Sequence, residues 1–200
     1  MVIGVTGSIG AGKSVVSEIL AEYNMYIIDC DKISHSIDSV DEYKNKIKET
    51  FGEGVFTESE IDRKKLSEVV FKSKENVKKL ESISFPVIID EIHRKRDMAF
   101  KNGQICVYDA PTLFNAGLDK ECDYTIGVIA EKEKRIERAI MRGNLSEKEI
   151  IARVLIQPDD DYYREKCNFI IDNSGTLGEL KEQIEVIVKK IKEKEVSYGN

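Results

Sequence analysis

The feature that most constrains this chain is a glycine-rich motif a few residues after its start. Residues 7–14 read Gly-Ser-Ile-Gly-Ala-Gly-Lys-Ser, which is a complete G-x-x-x-x-G-K-S phosphate loop. The apolar run 2–5 precedes it, and five apolar residues follow it at helical spacing: Val15, Val16, Ile19, Leu20 and Tyr23. A strand that turns through this loop into a helix is the context the motif requires. The sequence therefore predicts a nucleoside triphosphate site.

Each residue type in the motif has a physical role at a phosphate. Glycines at 7, 10 and 12 let successive backbone N–H groups point at phosphate oxygens, which sit at a helix N-terminus where unpaired N–H groups attract anions. Lys13 is placed to reach the β- and γ-phosphates as a point charge. The Ser14 hydroxyl is placed to complete the coordination of a Mg²⁺ ion that otherwise keeps several waters.

Length and charge narrow the class of protein. A chain of 200 residues with 41% hydrophobic residues suits one α/β domain with insertions. The net charge of −6 argues against a general affinity for nucleic acid, despite the basic run 93–96. We interpret that basic run as a solvated helix face. We also expect the protein to be a monomer or a weak homo-oligomer.

The chain shows no targeting or membrane signal. Its first apolar stretch is one strand long and runs directly into the phosphate loop, and no later run approaches ~18 apolar residues. We therefore expect a cytoplasmic protein without a membrane partner. The four cysteines have no C-x-x-C spacing, and we expect thiols: Cys30, Cys106, Cys122 and Cys167. His35 and His93 are too far apart in sequence to indicate a local metal motif.

Five short apolar runs predict the strands of one sheet. They lie at 2–5, 25–28, 105–108, 125–129 and 169–171, each flanked by polar or turn residues. The segments between them are mostly long enough for crossover helices, so we expect an α/β fold with a doubly wound, five-stranded parallel sheet. Ligands of such sheets bind at the carboxyl ends of the strands.

Two connections are too long for simple crossovers, although we expect a single domain over residues 1–200. Residues 31–102 carry few strand signals, a charged helical pattern at 62–80 and a break at Phe85-Pro86, which predicts a helical substrate-binding insertion. Residues 131–163 form the second long connection. The remaining segments form the predicted nucleotide-binding core: 1–30, 103–130 and 164–200.

The second long connection predicts two helices joined by a turn at Gly143-Asn144. Ser146 and Glu149 form a capping box for the second of them. After the last strand, one apolar stripe predicts a closing helix: Leu177, Leu180, Ile184, Ile187, Val188 and Ile191.

Three arginines share one face of the first of these helices. Arg135, Arg138 and Arg142 are spaced three and four residues apart, which places their guanidinium groups together. One hypothesis is a lid that brings arginine over the γ-phosphate, where it excludes water and stabilises the transition state, with Arg142 and Arg138 ahead of Arg135. The alternative is an ordinary solvated face.

Three carboxylates follow predicted strands. Asp29-Cys30-Asp31 ends the second strand and places two carboxylates at the sheet's carboxyl edge, where one could accept a proton from an attacking hydroxyl. The alternative is that Asp31 caps the following helix. Asp109 ends the third strand, and it is either a residue that holds Mg²⁺ through water or an ordinary loop-start residue.

These residues together form a recognisable pattern. The chain resembles the dephospho-CoA kinase family, in order and over nearly its whole length. The resemblance rests on the loop 6–14, Asp29-Cys30-Asp31, the run Ala110-Pro111-Thr112-Leu113-Phe114, Arg138 with Arg142, Gln157, and Ile171-Asp172-Asn173-Ser174-Gly175. The joint occurrence of these motifs is much more specific than any one of them.

The resemblance implies transfer of the ATP γ-phosphoryl group to the 3′-hydroxyl of the ribose in dephospho-CoA, the last step of coenzyme A synthesis. It implies a phosphate-loop kinase fold with a CoA-binding insertion and a lid. By the same resemblance, Asp31 is the catalytic base, Arg138 and Arg142 belong to the lid, and Asn173 with Gly175 borders the adenine. The residues that cradle the ATP phosphates would be Gly10, Ala11, Gly12, Lys13, Ser14 and Val15. The residues that face the acceptor would be Thr6, Pro111, Leu113 and Phe114.

Two other functions stay open at this point. One is a kinase for another small acceptor such as a nucleoside or nucleotide, because Phe85 and Asn115 stand where the family usually has histidine and glutamate. The other is a regulatory protein that binds ATP without catalysis. Asp31 and the arginine face argue against it, because neither is needed merely to bind ATP.

Overall fold

The structure is a computed structural model that describes residues 1–143 and 146–198, the last four of them by their backbone. The chain forms two compact units, one of residues 1–28 and 99–200 and the other of residues 29–98. The elements in chain order are β1 (Val2–Gly7), α1 (Lys13–Glu22), β2 (Tyr26–Asp29), α2 (Cys30–Ser36), α3 (Asp41–Phe51), β3 (Phe56–Thr57), β4 (Glu60–Ile61), α4 (Arg63–Val70), α5 (Lys74–Lys101), β5 (Cys106–Asp109), β6 (Tyr124–Ile129), α6 (Lys132–Met141), α7 (Glu147–Ile156), α8 (Asp160–Lys166), β7 (Phe169–Asp172) and α9 (Leu177–Tyr198).

The main sheet confirms the predicted architecture. Its five strands stand in the order β2-β5-β1-β6-β7, and β1 runs parallel to both of its neighbours. All five predicted strands are present, with ends shifted by no more than two residues. The central strand β1 is buried along its whole length, which is why it reads as a continuous apolar run instead of an alternating one.

The core of the first unit joins the sheet to α1 and α9. Ile3, Val5 and Ile126 of the sheet are fully buried, and they belong to one cluster with Val16 of α1 and Ile184 of α9. The predicted stripe of α9 is buried from Leu180 to Ile191, whereas Leu177 is 58% exposed. The prediction for Leu177 was wrong because this residue is the first of the helix and precedes the turn that packs on the sheet.

The predicted break at Phe85-Pro86 is also wrong. The helix α5 continues through Pro86 and extends over 28 residues. A proline inside a helix removes one N–H donor and costs about 3 kcal/mol relative to alanine. Packing of the residues after Pro86 offsets that cost, because Val87 and Ile88 are half-buried and Ile92 is fully buried. Tertiary packing keeps α5 continuous, and a local sequence signal such as a proline does not predict such packing.

The second unit contains a short hairpin that the sequence did not predict. β3 and β4 pair antiparallel, with Phe56 opposite Ile61 and Thr57 opposite Glu60. The two-residue loop has Glu58 at φ 50° and Ser59 at φ 70°. Positive φ at both central positions is the geometry of a type I′ turn, which usually carries Asn-Gly. With Glu-Ser in these positions the turn has no sequence signature.

The connection 131–163 contains the two predicted helices, α6 and α7, and a third. The capping box is present, because the Ser146 hydroxyl accepts from the Glu149 N–H while the Glu149 carboxylate accepts from the Ser146 N–H. Gly143 has φ 70° and ends α6 as predicted, while Asn144 lies outside the described residues. The third helix, α8, was missed; it is capped by Asp159, whose carboxylate accepts from the Tyr162 N–H.

All four cysteines are free thiols, as predicted. Two of them have raised thiol pKa values and are therefore weak nucleophiles. Burial raises the pKa of the Cys122 thiol to about 12 and that of the Cys167 thiol to about 11. Because the thiolate is the nucleophile and a raised pKa removes it at neutral pH, only ~10⁻³ or less of either thiol is ionised at pH 8.

We therefore expect iodoacetamide at pH 8 to label Cys122 and Cys167 at least ~100-fold more slowly in the native protein than in urea. Peptide mass spectrometry of timed samples measures both rates. Rapid native labelling at either position would contradict the raised pKa of these two half-buried thiols.

Candidate active site

The phosphate loop lies where the sequence predicts, between β1 and α1. Gly10 and Gly12 have φ values of 76° and 98°, which turn the backbone sharply before α1 begins at Lys13. The N-cap residue Gly12 offers no side chain, and no other side-chain cap is found for α1 in the described part of the chain. The first N–H groups of α1 are therefore directed at the loop, where an anion satisfies them.

Glycine is required at two positions for a second reason. A Cβ atom on Gly10 would clash with the backbone carbonyl of Arg135, and one on Gly12 would clash with the side-chain amide of Asn173. Positive φ already disfavours any other residue at both. The loop is thus packed from outside by α6 and by the segment after β7.

Lys13 is held at this site by a carboxylate from the neighbouring strand. Its ammonium group forms an ion pair with Asp109, and the two side chains are 15% and 6% exposed. The parallel pairing of β1 with β5 sets Asp109 opposite Val5, so both strands deliver their ends to the same edge of the sheet. Ser14, the next residue of α1, is exposed.

The three arginines of α6 have different environments. Arg135 is buried, and its guanidinium lies 3.8 Å from the Asp160 carboxylate. Arg138 is half-buried and donates from Nη2 to the Asn173 carbonyl at 2.9 Å. Arg142 is exposed at the end of α6. The structure therefore brings Arg135 against the phosphate loop and Arg138 against Asn173, which itself contacts the loop, and leaves Arg142 at the surface.

Two of these arginines carry buried N–H groups without a partner among the described residues: Nε of Arg135 and Nη1 of Arg138. An unpaired buried donor costs about 1–3 kcal/mol, more for a charged group. Such donors beside a phosphate loop are suited to phosphate oxygens, which would supply the missing acceptors.

Asn173 ties several parts of the site together. Its side-chain amide donates to the Ala11 carbonyl at 2.8 Å, and its backbone N–H donates to the Ile129 carbonyl. Its own carbonyl accepts from Arg138. The side chain of Asn173 is thus engaged with the phosphate loop itself. Gly175, two residues on, is exposed in the turn before α9.

The predicted acceptor-facing residues divide into buried and accessible ones. Thr6 is fully buried, and its hydroxyl donates to the Pro111 carbonyl at 3.1 Å. Leu113 is also fully buried, against Gly4. Pro111 and Phe114 are half-buried and keep accessible surface. Thr6 and Leu113 therefore have no surface for a ligand in this conformation, and their contacts join the segment 110–114 to β1.

The two aspartates after β2 have separate positions. Asp29 is the N-cap of α2, and its carboxylate accepts from the Lys32 N–H at 2.9 Å. Asp31 lies in the first turn of α2 and is exposed. The interpretation of Asp31 as the helix cap is therefore wrong, because Asp29 performs that role.

Protein ligands for a metal are sparse. The described residues contain no group of three or more His, Cys, Asp or Glu side chains that could hold an ion. Ser14 of the phosphate loop and Asp109 at the end of β5 are the oxygen ligands available beside the loop. This set fits Mg²⁺ in a kinase, because Mg²⁺ keeps several waters and takes most other ligands from substrate phosphates.

Sequence reasoning missed three contributors to this site. Ser8 lies in the phosphate loop, Tyr163 contacts Ser8, and Asp160 faces Arg135; Ser8 and Tyr163 are buried. Ser8 occupies a variable position of the motif, and the other two lie in a helix that the pattern did not reveal. No sequence signal marks them, because their contacts span 25 to 155 positions along the chain.

Comparison with known proteins agrees with this geometry. A sequence model of one family, described as dephospho-CoA kinase, matches residues 1–179. The chain is 37% identical over 194 residues to a dephospho-CoA kinase of Bacillus cereus, covering 94% of this chain and 96% of the relative. It is 35% identical over 190 residues to that of Helicobacter pylori, covering 94% and 95%.

Solved structures give the same result. A dephospho-CoA kinase from Campylobacter jejuni superimposes with a TM-score of 0.72 at 28% identity, covering 95% of this chain and 96% of that one. A Thermus thermophilus protein reaches 0.82 at 26% identity, covering 95% and 97%. A shikimate kinase from Acinetobacter baumannii, 16% identical with a TM-score of 0.52, shares the fold.

None of the described helices has the length and apolar character needed to cross a bilayer. With its phosphate loop, its five-stranded sheet and these relatives, the chain belongs to the dephospho-CoA kinase family.

Proposed function

We propose that this protein transfers the γ-phosphoryl group of ATP to the 3′-hydroxyl of the ribose in dephospho-CoA and so produces coenzyme A. The observation that carries the proposal is the phosphate loop, with its uncapped helix α1 and the lysine at its end. The family supplies the acceptor, because its curated members are named for it.

Different groups of the site bind different parts of the ATP triphosphate. The backbone of Gly10–Val15 cradles the phosphates, and Lys13 exchanges Asp109 for a phosphate oxygen when ATP binds. The unpaired N–H groups of Arg135 and Arg138 donate hydrogen bonds to oxygens of the γ-phosphoryl group and stabilise its negative charge. Arg142, exposed at the end of α6, joins them if the connection 131–163 closes as a lid.

The ion that would accompany ATP is Mg²⁺, held by the hydroxyl of Ser14 and through water by Asp109. When bound, it neutralises charge that develops on the transferring phosphoryl group. Asn173 and Gly175 border the nucleotide on the side of β7, where Asn173 already contacts the loop at Ala11.

Asp31 is the proposed general base. It follows β2 by two residues, it is exposed, and helix capping falls to its neighbour Asp29. A carboxylate in this role accepts the proton of the 3′-hydroxyl as that oxygen attacks phosphorus. Pro111 and Phe114, which keep accessible surface, face the acceptor.

The unit of residues 29–98 is the proposed CoA-binding part, in place of the range 31–102 expected from the sequence. It contains a cavity of about 210 Å³ whose apolar lining includes Leu66, Val70 and Ile88. The hydroxyls of Tyr43 and Ser84, 3.0 Å apart, add polar groups to it. A mainly apolar cavity with a few polar groups suits the methylene and amide chain of the acceptor.

We place the enzyme in the cytoplasm, as a monomer or weak homo-oligomer with no nucleic-acid partner. Four free thiols suit a reducing compartment. The basic run 93–96 lies on α5 beside acidic partners: Arg94 and Lys95 pair with Glu91, and Arg96 pairs with Asp97. The ion pairs support its interpretation as a solvated helix face.

The decisive test is incubation of the purified protein with ATP, Mg²⁺ and dephospho-CoA, followed by mass spectrometry of the acceptor. We expect the gain of one phosphoryl group, with one ATP consumed for each product. Nucleosides and nucleotides in parallel reactions test the rival acceptors. Phosphorylation of one of these in preference to dephospho-CoA would overturn the proposal, and ATP binding without any product would indicate the regulatory function.

A further inference from the structure

A segment about 150 residues further along the chain holds the first half of the phosphate loop. This support segment, residues 157–163, begins directly after α7 and extends into α8. The backbone N–H of Ile9 donates to the side-chain carbonyl of Gln157 at 2.8 Å. One residue earlier, the hydroxyl of Ser8 donates to the backbone carbonyl of Pro158 at 3.0 Å.

The far end of the support segment is anchored by packing. Tyr163 is 3% exposed, and its hydroxyl lies 3.4 Å from that of Ser8. The Tyr163 hydroxyl is protonated at neutral pH, and burial raises its pKa further above the ordinary value for tyrosine. The ring of Tyr162 packs edge-on against both Tyr163 and Phe114, with centroids 5.4 and 5.8 Å apart.

The position of the Ile9 contact gives it a specific consequence. The N–H groups proposed to face the phosphates belong to the segment that begins at Gly10, where the N–H of Ala11 donates to the Ser8 carbonyl at 3.1 Å in this structure. The N–H of Ile9, just before that segment, donates to Gln157. The bond to Gln157 fixes the peptide plane immediately before Gly10. Glycine-rich loops lose the most conformational entropy on ordering, so a loop that is ordered before ATP arrives loses less on binding.

We propose that Gln157 is a positioning residue that holds the phosphate loop in its ATP-binding conformation. It acts through the Ile9 N–H and touches no reacting atom. Because Gln157 is the C-cap residue of α7, it also connects the loop to the helices of residues 131–163, so that ATP binding and the arrangement of those helices depend on each other. The inference rests on the proposed function only in that ATP binds at the phosphate loop.

The variant that tests this is Gln157→Met, which keeps the length of the side chain and removes the acceptor. We expect the dissociation constant for ATP, measured by calorimetry without acceptor, to rise ~10-fold, and KM for ATP to rise by a similar factor. KM for dephospho-CoA should change by less than ~2-fold, because the loop does not bind the acceptor. Gln104→Met is the matched control, since the side-chain amide of Gln104 makes one hydrogen bond among the described residues, to exposed Asn24 at 3.4 Å.

A second variant keeps the inference testable if Gln157→Met folds poorly. Ser8→Ala removes the other tie to the support segment, and we expect a ~3-fold weaker binding of ATP. In the double variant the two losses should not add, because both residues secure the same loop. ATP binding to Gln157→Met within ~2-fold of the wild type, or an equal rise in both KM values, would overturn the inference. A wild type that binds ATP without phosphorylating dephospho-CoA would contradict the proposed acceptor alone and leave the binding test intact.

Discussion

Replacement of Lys13 by methionine is expected to lower kcat by at least ~10³-fold. The side chain of methionine is nearly as long but carries no charge, so the transferring phosphoryl group loses the cation that the phosphate loop supplies. Turnover is measured by coupled ADP release with saturating ATP and dephospho-CoA. More than a tenth of the wild-type kcat would show that Lys13 is not needed for transfer.

The same variant should also lose stability, because the structure pairs Lys13 with a buried carboxylate. Asp109 is 4% exposed, and removal of its partner leaves that charge uncompensated at a cost of about 3 kcal/mol. We expect Tm to fall by roughly 5–10 °C. Lys13→Arg is the control that separates the two effects: it keeps the charge for Asp109 and should restore most of Tm, while the larger, planar guanidinium should leave turnover low.

Replacement of Asp31 by asparagine is expected to lower kcat by ~10²–10⁴-fold, the usual contribution of a positioned general base. Asparagine has the same shape as aspartate but cannot accept the proton of the 3′-hydroxyl. The pH profile of kcat adds a second measurement, because the acidic limb that reports ionisation of the base should disappear in the variant.

The control for this prediction is Asp41→Asn. Asp41 is also an exposed aspartate in the first turn of a helix of the same unit, so the change in charge and shape is the same. We expect its kcat within ~2-fold of the wild type. If Asp31→Asn behaves like Asp41→Asn, the carboxylate of Asp31 does not act as the base, because loss of a proton acceptor cannot be silent at saturating substrate.

The parts of the fold that were predicted correctly depend on short-range patterns. Each strand of the main sheet is a buried apolar run, and the Ser146–Glu149 capping box involves residues three apart. The phosphate loop carries its geometry in its glycines, since positive φ at Gly10 and Gly12 is available to few other residues. Such features need no information from elsewhere in the chain.

The predictions that were wrong are those in which distant packing opposes a local preference. Pro86 favours a break, but the packing of the apolar residues that follow it, up to buried Ile92, keeps α5 continuous. Leu177 fits the apolar stripe of α9 by spacing, yet it lies one turn before the helix meets the core. The hairpin around Glu58-Ser59 was missed for another reason, because its loop has no turn signature although its backbone forms a type I′ turn.

The sequence by itself determined the class of site. A G-x-x-x-x-G-K-S loop between a strand and a helix already specifies phosphate binding, because the required backbone geometry and charges are encoded within eight consecutive residues. Only the tertiary structure decided how that loop is held. Lys13 meets Asp109 across 96 positions of sequence, and Ile9 meets Gln157 across 148. It also decided that Arg135, more than Arg142, lies against the loop, since equal spacing on one helix face does not reveal which end of the helix is buried.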